Sequence, residues 1–396
     1  MTVIIAIDDC HDNRYYIYQM TQFIRKLNLT EDLVKKSHFL FGPRSTGKTY
    51  LIREQIKNHK VIDLLNTQQW ARYSKRPSLL FEESQNAETI VIDEIQKLPE
   101  LLNEVHRCIE EKKIKFLLTG SSARKLKRGQ ANLLAGRAWQ REIFPLVSDE
   151  IPNFNLNQYL IRGGLPHIYP SIDYELELRA YSDLYLKEEI QAEALTRNVF
   201  LFSHFLETIA LQSGEELYLE GIASDSGVKV GTVRNYLEIL EDTLLGFRLQ
   251  PFRFTKKRKA ISRSKFYLFD IGVRNSLIGI KNIPEKGPTF GQSFEHFIIQ
   301  ELRAFLSYSR INHPLQYWRS KSGFEVDCII NDTAIEIKSS ELISEKHLKG
   351  LKALREEQLL RRYIIVSRDE HKRSIDGVEI IPWQNFLQSL WKGELF

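Results

Sequence analysis

The sequence predicts an α/β chain with more than one domain, in which a parallel sheet comes first. At 396 residues the chain is too long for a single hydrophobic core. The segments 37–42 and 89–94 are short apolar runs of the kind that forms buried strands of a parallel sheet. The first run leads through a glycine-rich loop into residues 50–59, whose apolar positions have helical spacing.

The composition excludes several classes of protein. The chain is 42% hydrophobic and 27% charged, as is typical of a soluble globular protein. No apolar run reaches the roughly 18–20 residues that a membrane span needs, so no membrane contact is expected. The N-terminal apolar stretch is followed by acids and makes a poor signal peptide. Cys10, Cys108 and Cys328 form no CxxC pair, which favours a reducing, cytoplasmic location.

A phosphate-binding loop is predicted at residues 42–49. They read GPRSTGKT and match GxxxxGK[ST] between a strand and a helix, the context that this pattern requires. The glycines let backbone N–H groups surround phosphates at a helix N-terminus, whose dipole favours anions. Lys48 is expected to reach the β- and γ-phosphates of ATP, and the Thr49 hydroxyl to ligate Mg²⁺. The predicted ATP-binding residues are Gly42, Pro43, Arg44, Ser45, Thr46, Gly47, Lys48 and Thr49.

Two further strand ends predict hydrolysis. TIVIDE at 89–94 ends in two acids, of which Asp93 is expected to hold Mg²⁺ through water and Glu94 to orient and deprotonate the attacking water. The segment 113–122 ends in small polar residues, and strand ends collect at the ligand edge of such a sheet. Thr119, Ser121 or Ser122 is expected to contact the γ-phosphate or the water there, and Ser121 is favoured. A plain polar turn is the alternative.

The middle of the chain predicts a helical lid and a winged helix. Residues 174–195 and 199–211 have amphipathic helical spacing. Residues 217–243 read as a helix–turn–helix whose second helix buries one apolar face and exposes a reading face. The buried face comprises Val233, Tyr236, Leu237 and Leu240, and the reading face Lys229, Thr232, Arg234 and Asn235. Two strands are expected to follow, with a basic turn between them.

That turn lies in a stretch that carries eight basic residues and no acid between Arg248 and Lys265. Such a patch suits a phosphate backbone, so nucleic acid, with DNA favoured, is the predicted partner, with Lys256–Lys259 on phosphate. A solvated turn, or a winged helix used for protein contacts, is the alternative.

Polar residues near the C-terminus predict a second metal site. Glu295 lies near the start of the amphipathic segment 291–309, and Asp327, Glu336 and Lys338 lie on adjacent strands of a predicted hairpin. A period of two sets Glu336 and Lys338 on one face, while Glu325 is expected to point to the opposite face. Carboxylates that hold Mg²⁺ beside a lysine that activates water suit phosphodiester cleavage. A chance surface hairpin is the alternative.

The motifs together resemble AAA-type ATPases, in particular prokaryotic ATP-binding proteins with a C-terminal restriction-nuclease-like domain. The resemblance rests on GPRSTGKT, VIDEIQKLP, LLTGSSARKL, LAGRAWQREIFPL, RGGLP and the PD-(D/E)xK pattern at 326–338, where Val–Asp replaces Pro–Asp. It implies that Arg137 acts as an arginine finger in trans within a homo-oligomer, or in cis as a sensor; a structural role is the alternative. The sequence departs from the AAA pattern in having no clear second-sensor arginine motif.

The predicted organisation has five parts. They are an N-terminal helical lead-in (1–37), an AAA-type P-loop domain (38–150), a helical lid (151–212), a winged helix (213–275) and a nuclease-like α/β domain (285–396). The favoured function is an ATPase that acts on nucleic acid, with nuclease activity left open. The competing hypothesis is a regulatory ATPase switch whose C-terminal domains bind protein and are catalytically inactive.

Overall fold

The computed structural model describes residues 23–57, 59–85, 87–122, 134–185 and 199–396. Most of the predicted lead-in, and residues 123–133 and 186–198 of the predicted motif and lid segments, lie outside these ranges. The first sheet has five strands in the order β2-β3-β4-β1-β5, and all neighbours are parallel. Its strands are β1 (Ser37–Phe41), β2 (Lys60–Asp63), β3 (Thr89–Asp93), β4 (Lys115–Gly120) and β5 (Ala138–Glu142). The predicted parallel α/β sheet is confirmed.

Apolar residues on both faces explain why these strands are central. Along β3, Ile90 and Ile92 pack into one core while Val91 packs into another on the opposite face. Leu117 of β4 joins Val91, because side chains alternate across a strand. Helices cover the two faces: α1 (Thr30–Lys35), α2 (Lys48–Gln55), α3 (Thr67–Lys75), α4 (Leu79–Glu83) and α5 (Leu102–Lys112).

The middle of the chain is helical. Its helices are α6 (Leu156–Arg162), α7 (Tyr174–Ala180), α8 (Val199–Leu211), α9 (Leu219–Ser226), α10 (Val230–Asp242) and α11 (Ile271–Leu277). Gly227 ends α9 with a φ of 68°, a left-handed cap that glycine adopts without steric cost. The four apolar residues predicted to share a face of α10 are all buried. The helix predicted from residue 174 is interrupted by a π-turn at Tyr181–Tyr185.

A second sheet of eight strands has the order β12-β13-β11-β10-β9-β8-β6-β7. Its strands are β6 (Gly246–Pro251), β7 (Lys265–Leu268), β8 (Leu315–Arg319), β9 (Glu325–Ile330), β10 (Thr333–Ile337), β11 (Arg362–Ser367), β12 (Arg373–Ile375) and β13 (Val378–Pro382). The predicted modules 213–275 and 285–396 share this sheet, because β6 pairs with β8 through Gln250 and Pro251. Such pairing between distant segments leaves no local pattern in the sequence.

One long helix joins the two sheets. It is α12 (Pro288–Tyr308), whose 21 residues span about 30 Å. Near its end, Arg303 Nη2 lies 3.0 Å from a carboxylate oxygen of Glu142 on β5, and the Tyr308 hydroxyl accepts the Phe144 N–H at 3.0 Å. The remaining helices of this part are α13 (Lys349–Arg355) and α14 (Trp383–Trp391). Within the described ranges, no helix is long and apolar enough to cross a membrane.

Candidate nucleotide site and carboxylate–lysine cluster

The predicted phosphate loop connects β1 to the first turn of α2. Gly47 caps α2 with a φ of 91°, and Ser45 is also left-handed at 64°. A Cβ on Gly42 would lie 2.5 Å from the Ile143 side chain, so only glycine fits there. The loop opens onto a cleft of about 310 Å³ that is lined by Arg44, Ser45, Gly47, Lys48, Thr49, Tyr50, Leu65 and Glu94.

Lys48 lies inside the loop and not in solvent. Its ammonium group donates to the carbonyl oxygens of Gly42 at 2.6 Å and Pro43 at 3.0 Å, and the residue is buried. The next residue, Thr49, is exposed at the start of α2. An ammonium group, a hydroxyl and helix N-terminal amides beside one cleft are the donor set that a Mg²⁺–nucleotide needs.

Thr119 connects the two acids that follow β3. Its hydroxyl donates to the Asp93 carboxylate and accepts the backbone N–H of Glu94 at 3.1 Å. Glu94 itself is left-handed, with a φ of 59°, and is buried beside the cleft. The sequence interpretation favoured Ser121 over Thr119, yet it is Thr119 that contacts both acids.

Gln96 is a site residue that the sequence analysis missed. Its side-chain nitrogen donates to the Glu94 carboxylate and to the Ser121 hydroxyl, the latter at 3.2 Å. Within the described part of the chain, the side-chain amide oxygen of Gln96 is buried and has no hydrogen-bond partner. A short 3₁₀ turn at Ile95–Lys97 folds Gln96 back toward the acid. The only available signal was its position in VIDEIQKLP, directly after the two acids.

Two residues from outside the sheet support the phosphate loop. Arg25 donates to the Thr46 carbonyl at 2.8 Å and to the Glu150 carboxylate at 3.1 Å. The Tyr181 hydroxyl donates to the Arg44 carbonyl at 3.1 Å. The Arg25–Glu150 and Tyr181–Arg44 contacts could not be predicted because they join residues more than a hundred positions apart. The Arg25–Thr46 contact could not be predicted because Arg25 lies outside any recognised motif.

Arg137 lies at the opposite edge of the sheet from the phosphate loop. β5 runs parallel to β1, with Ala138 beside Ser37 and Glu142 beside Phe41. Arg137 therefore precedes β5 at the amino edge, where it donates to Glu110, while the loop follows β1 at the carboxyl edge. The two edges are separated by about 13 Å of extended strand, so Arg137 and the phosphate loop lie apart in this conformation.

A second set of polar residues lies on β9, β10 and the following residue. Lys338 Nζ lies 2.6 Å from a Glu336 carboxylate oxygen and 3.7 Å from an Asp327 oxygen. Asp327 also accepts the Ile337 N–H at 2.7 Å. The sequence thus correctly anticipates that these three residues are neighbours on adjacent strands.

Lys265 was missed as part of the same set. It was counted with the surface basic stretch, but it is buried, with Nζ 3.2 Å from Glu295 and 2.7 Å from Glu325. Tyr267 donates to Glu295 at 2.6 Å. The expectation that Glu325 faces away is wrong: it lies two residues before Asp327 and therefore shares its face. We call Glu295, Glu325, Asp327 and Glu336 the carboxylate cluster.

Burial shifts the protonation of this cluster. It raises the pKa of Glu336 to about 8, with the neighbouring Asp327 charge acting in the same direction. It also raises the pKa of Glu295. Burial opposes the charged form of Lys338, but Asp327 and Glu336 outweigh it and raise the lysine pKa.

The cluster does not fit a metal ion as it is arranged. Among the residues that the structure describes, no three or more acidic, histidine or cysteine side chains are grouped so that they could hold one. The predicted metal set of Glu295, Asp327 and Glu336 therefore stays a prediction. Two lysine ammonium groups lie beside these acids, Lys265 at 3.2 Å from Glu295 and Lys338 at 2.6 Å from Glu336.

The basic turn packs against the C-terminal domain. The Glu357 carboxylate accepts the N–H groups of Lys256, Lys257 and Arg258 at 2.7–2.8 Å. The Lys321 N–H donates to the Lys259 carbonyl at 3.0 Å. Several residues of this turn, and Lys321 beside it, are nevertheless exposed to solvent: Arg253, Phe254, Lys256, Lys257, Lys259 and Lys321.

Family models divide the chain into three parts. Residues 34–151 match the model described as an AAA domain. Together with the parallel sheet and the phosphate loop, this match gives the chain an AAA-type ATPase domain. Residues 153–283 and 290–386 match two models, each described as a domain of unknown function (DUF8612 and DUF4143).

Similar chains occur in bacteria and archaea. An uncharacterized protein of Mycobacterium tuberculosis is 28% identical over 373 residues, which cover 88% of this chain and 80% of that protein. An uncharacterized protein of Methanocaldococcus jannaschii is 26% identical over 399 residues, covering 88% and 87%.

Solved structures give a weaker likeness. The Aeropyrum pernix ORC1 protein in complex with DNA has a TM-score of 0.25 at 12% identity, covering 61% of this chain and 86% of that one. The replication initiator DnaA bound to AMPPCP and single-stranded DNA has a TM-score of 0.27 at 12% identity, covering 53% and 84%. The ATPase-domain assignment rests on the sequence match and the site.

Proposed function

We propose that the chain hydrolyses ATP and uses the cycle to act on nucleic acid, with DNA as the favoured form. The observation that carries the proposal is the cleft lined by both Lys48 of the phosphate loop and Glu94 after β3. A phosphate-binding group and a carboxylate beside one cleft are the two elements that hydrolysis requires.

The proposal gives one role to each of five residues in or beside the cleft. Lys48 exchanges its contacts with the Gly42 and Pro43 carbonyls for the β- and γ-phosphate oxygens. Thr49 and Asp93 hold the magnesium, which neutralises charge on the phosphates when bound with the nucleotide. Glu94 accepts a proton from the attacking water. Gln96 fixes the direction of the Glu94 carboxylate.

The exposed basic turn supports contact with nucleic acid. Lys256 and Lys259 are exposed in the same short segment as Phe254, which is 69% exposed, and the exposed Lys321 donates its N–H to the Lys259 carbonyl. Cations neutralise the phosphate backbone, and an exposed aromatic ring offers a surface on which a base can stack. Basic and aromatic side chains side by side therefore suit nucleic acid better than they suit an apolar protein surface.

We further assign α9 and α10 with β6 and β7 as a winged helix, and the C-terminal α/β part as restriction-nuclease-like. On α10, Arg234 and Asn235 are exposed opposite the buried apolar face. This is the arrangement that a major-groove reading helix needs. Arg137 is available to a second copy of the chain, so the proposal keeps its arginine-finger role in trans.

A regulatory switch is the second candidate function. It is favoured by the lysines in the carboxylate cluster, since Lys265 and Lys338 pair with Glu295 and Glu336, two of the acids that metal-dependent phosphodiester cleavage would need. In that case nucleotide turnover would control protein contacts of the C-terminal part.

ATP hydrolysis measured with and without DNA, together with DNA binding at several salt concentrations, distinguishes the candidates. The nucleic-acid proposal expects hydrolysis whose rate changes with DNA, and DNA affinity that falls steeply with salt. Hydrolysis without any salt-sensitive DNA binding would favour the switch. Absence of hydrolysis would overturn both.

A further inference from the structure

The carboxylate cluster gathers four acids on one face of the second sheet. Glu325 and Asp327 lie two residues apart on the same face of β9. Glu336 is on the neighbouring strand β10, opposite Asp327, and Glu295 is on α12. Asp327 and Glu336 are buried, and Glu295 and Glu325 are partly buried. Like charges at such density are unfavourable in a protein interior, so protonation or neighbouring cations must offset them.

Arg319, with Nη1 3.4 Å from Glu325, and two lysines provide these cations, and the two lysines come from different parts of the chain. Lys338 directly follows β10 and is local to Glu336. Lys265 belongs to β7, a separate segment, and reaches the cluster past the ring of Tyr317 on β8, with its ammonium 5.4 Å from the ring centre. A lysine that is only 4% exposed is unusual, and here it lies between Glu295 and Glu325.

The Lys265 ammonium and a divalent ion cannot share this space. Mg²⁺ requires ligand oxygens at about 2.0–2.1 Å and carries two positive charges. The ammonium already lies 3.2 Å from an oxygen of Glu295, a predicted ligand of such an ion, and 2.7 Å from an oxygen of Glu325. Coulomb repulsion between the two cations at this range is strong in a buried site.

The cluster also holds an oxygen that a metal ion could use once a lysine is removed. Its four carboxylates are paired with Lys265, Lys338 and Arg319. In the described part of the chain, one carboxylate oxygen of Glu336 is buried without a hydrogen-bond partner, and the residue is 6% exposed. This oxygen becomes a ligand for a divalent ion when the Lys265 ammonium no longer fills the cluster.

We propose that Lys265 is a built-in cation that fills the carboxylate cluster in place of a divalent metal ion. The carboxylate cluster therefore does not bind a divalent ion while β7 stays beside α12, and it can bind one when the Lys265 ammonium is removed. The position of β7 thereby determines whether the C-terminal site can bind metal, independently of whether the chain hydrolyses ATP.

Binding of Mn²⁺ to the full chain without nucleotide, measured by the loss of free Mn²⁺ signal in electron paramagnetic resonance, tests this proposal. Lys265→Met should gain one Mn²⁺ site that the native chain lacks, because a buried counter-charge is lost. Adding Asp327→Asn to that variant should abolish the gain. Lys392→Met makes the same charge change on an exposed lysine near the C-terminus and should behave like the native chain.

A second measurement on the native chain covers the case in which Lys265→Met does not fold. Amine acetylation followed by mass spectrometry should modify Lys259 readily and leave Lys265 protected, with or without Mn²⁺. Two results would overturn the proposal: Mn²⁺ bound by the native chain and lost with Asp327→Asn alone, or Lys265 as reactive as Lys259.

Discussion

The Gln96 side chain donates a hydrogen bond to the Glu94 carboxylate, and the same nitrogen donates to Ser121. Gln96, which is itself held by Ser121, thereby fixes the Glu94 carboxylate beside the cleft that the phosphate loop lines. We expect Gln96→Ala to lower the ATP turnover rate by about 10- to 100-fold, since a misdirected general base loses much of its effect. Nucleotide affinity should stay within about threefold of the native value, because Gln96 lies outside the loop.

Steady-state kinetics with a parallel nucleotide-binding titration measure both quantities. Gln68→Ala removes an exposed glutamine of α3 and should leave both unchanged. A Gln96→Ala protein with native turnover would show that Glu94 needs no such support.

Lys48 and Glu94 should separate nucleotide binding from turnover. Lys48→Ala removes the cation inside the loop and is expected to abolish detectable nucleotide binding. Glu94→Gln keeps the size of the side chain and should bind nucleotide normally while turnover falls by at least about 100-fold. Fluorescent-nucleotide titration and phosphate release report the two effects. Loss of binding in Glu94→Gln would remove the assigned role.

The basic turn should determine the salt dependence of DNA binding. Changing Lys256 and Lys259 to alanine should lower the slope of log affinity against log salt by about 2, one unit for each phosphate contact. The matched control is Lys346 and Lys349 changed to alanine, which are also exposed lysines of the C-terminal part. Equal slopes in both double variants would mean that the turn does not contact phosphate.

Phe254 should contribute affinity that salt does not affect. Phe254→Ala is expected to weaken binding to single-stranded DNA by about 1–3 kcal/mol at every salt concentration, which is the range of one stacked base. Phe200 is equally exposed, at 69%, and lies on α8 away from the turn, so Phe200→Ala is the control. Fluorescence anisotropy of a labelled oligonucleotide measures the difference, and matching losses in both variants would rule out a specific role.

Glu301 should make stability depend on pH. Burial raises its pKa to about 7, although the Ser148 N–H and the Trp391 indole donate to it. An acid whose pKa is raised by folding stabilises the fold when protonated. That stability is lost as the pH rises from about 4.5, the unfolded value, to about 7, and it amounts to up to about 3 kcal/mol.

Thermal unfolding at pH 5 and pH 8 tests this dependence. Glu301→Gln cannot titrate, so the native chain should lose stability relative to this variant as the pH rises across that window. A stability difference between the two proteins that is independent of pH would contradict the account of Glu301.

The sequence predicted those parts of the site that are local. The phosphate loop, the acids after β3 and the Glu336–Lys338 pair each occupy one strand or one turn, and their spacing alone sets them together. Glu325 was assigned to the wrong face although its distance of two residues from Asp327 was visible. That error was one of counting along the strand.

The site residues that the sequence did not predict contact residues that are far away in the chain. Lys265 meets Glu295 and Glu325 only because β6 joins β8 and brings β7 to the second sheet. Arg137 appeared to be near the nucleotide until the parallel register of β5 with β1 set it at the far edge. No local pattern encodes a contact that depends on how distant strands pair.

The most direct test of the central claim is phosphate release by the native chain and by Glu94→Gln, each with saturating Mg²⁺–ATP, with and without duplex DNA. We predict hydrolysis by the native chain, a rate that changes when DNA is added, and no turnover by Glu94→Gln despite bound nucleotide. Hydrolysis that persists unchanged in Glu94→Gln, or a native chain that binds ATP and never cleaves it, would contradict the account.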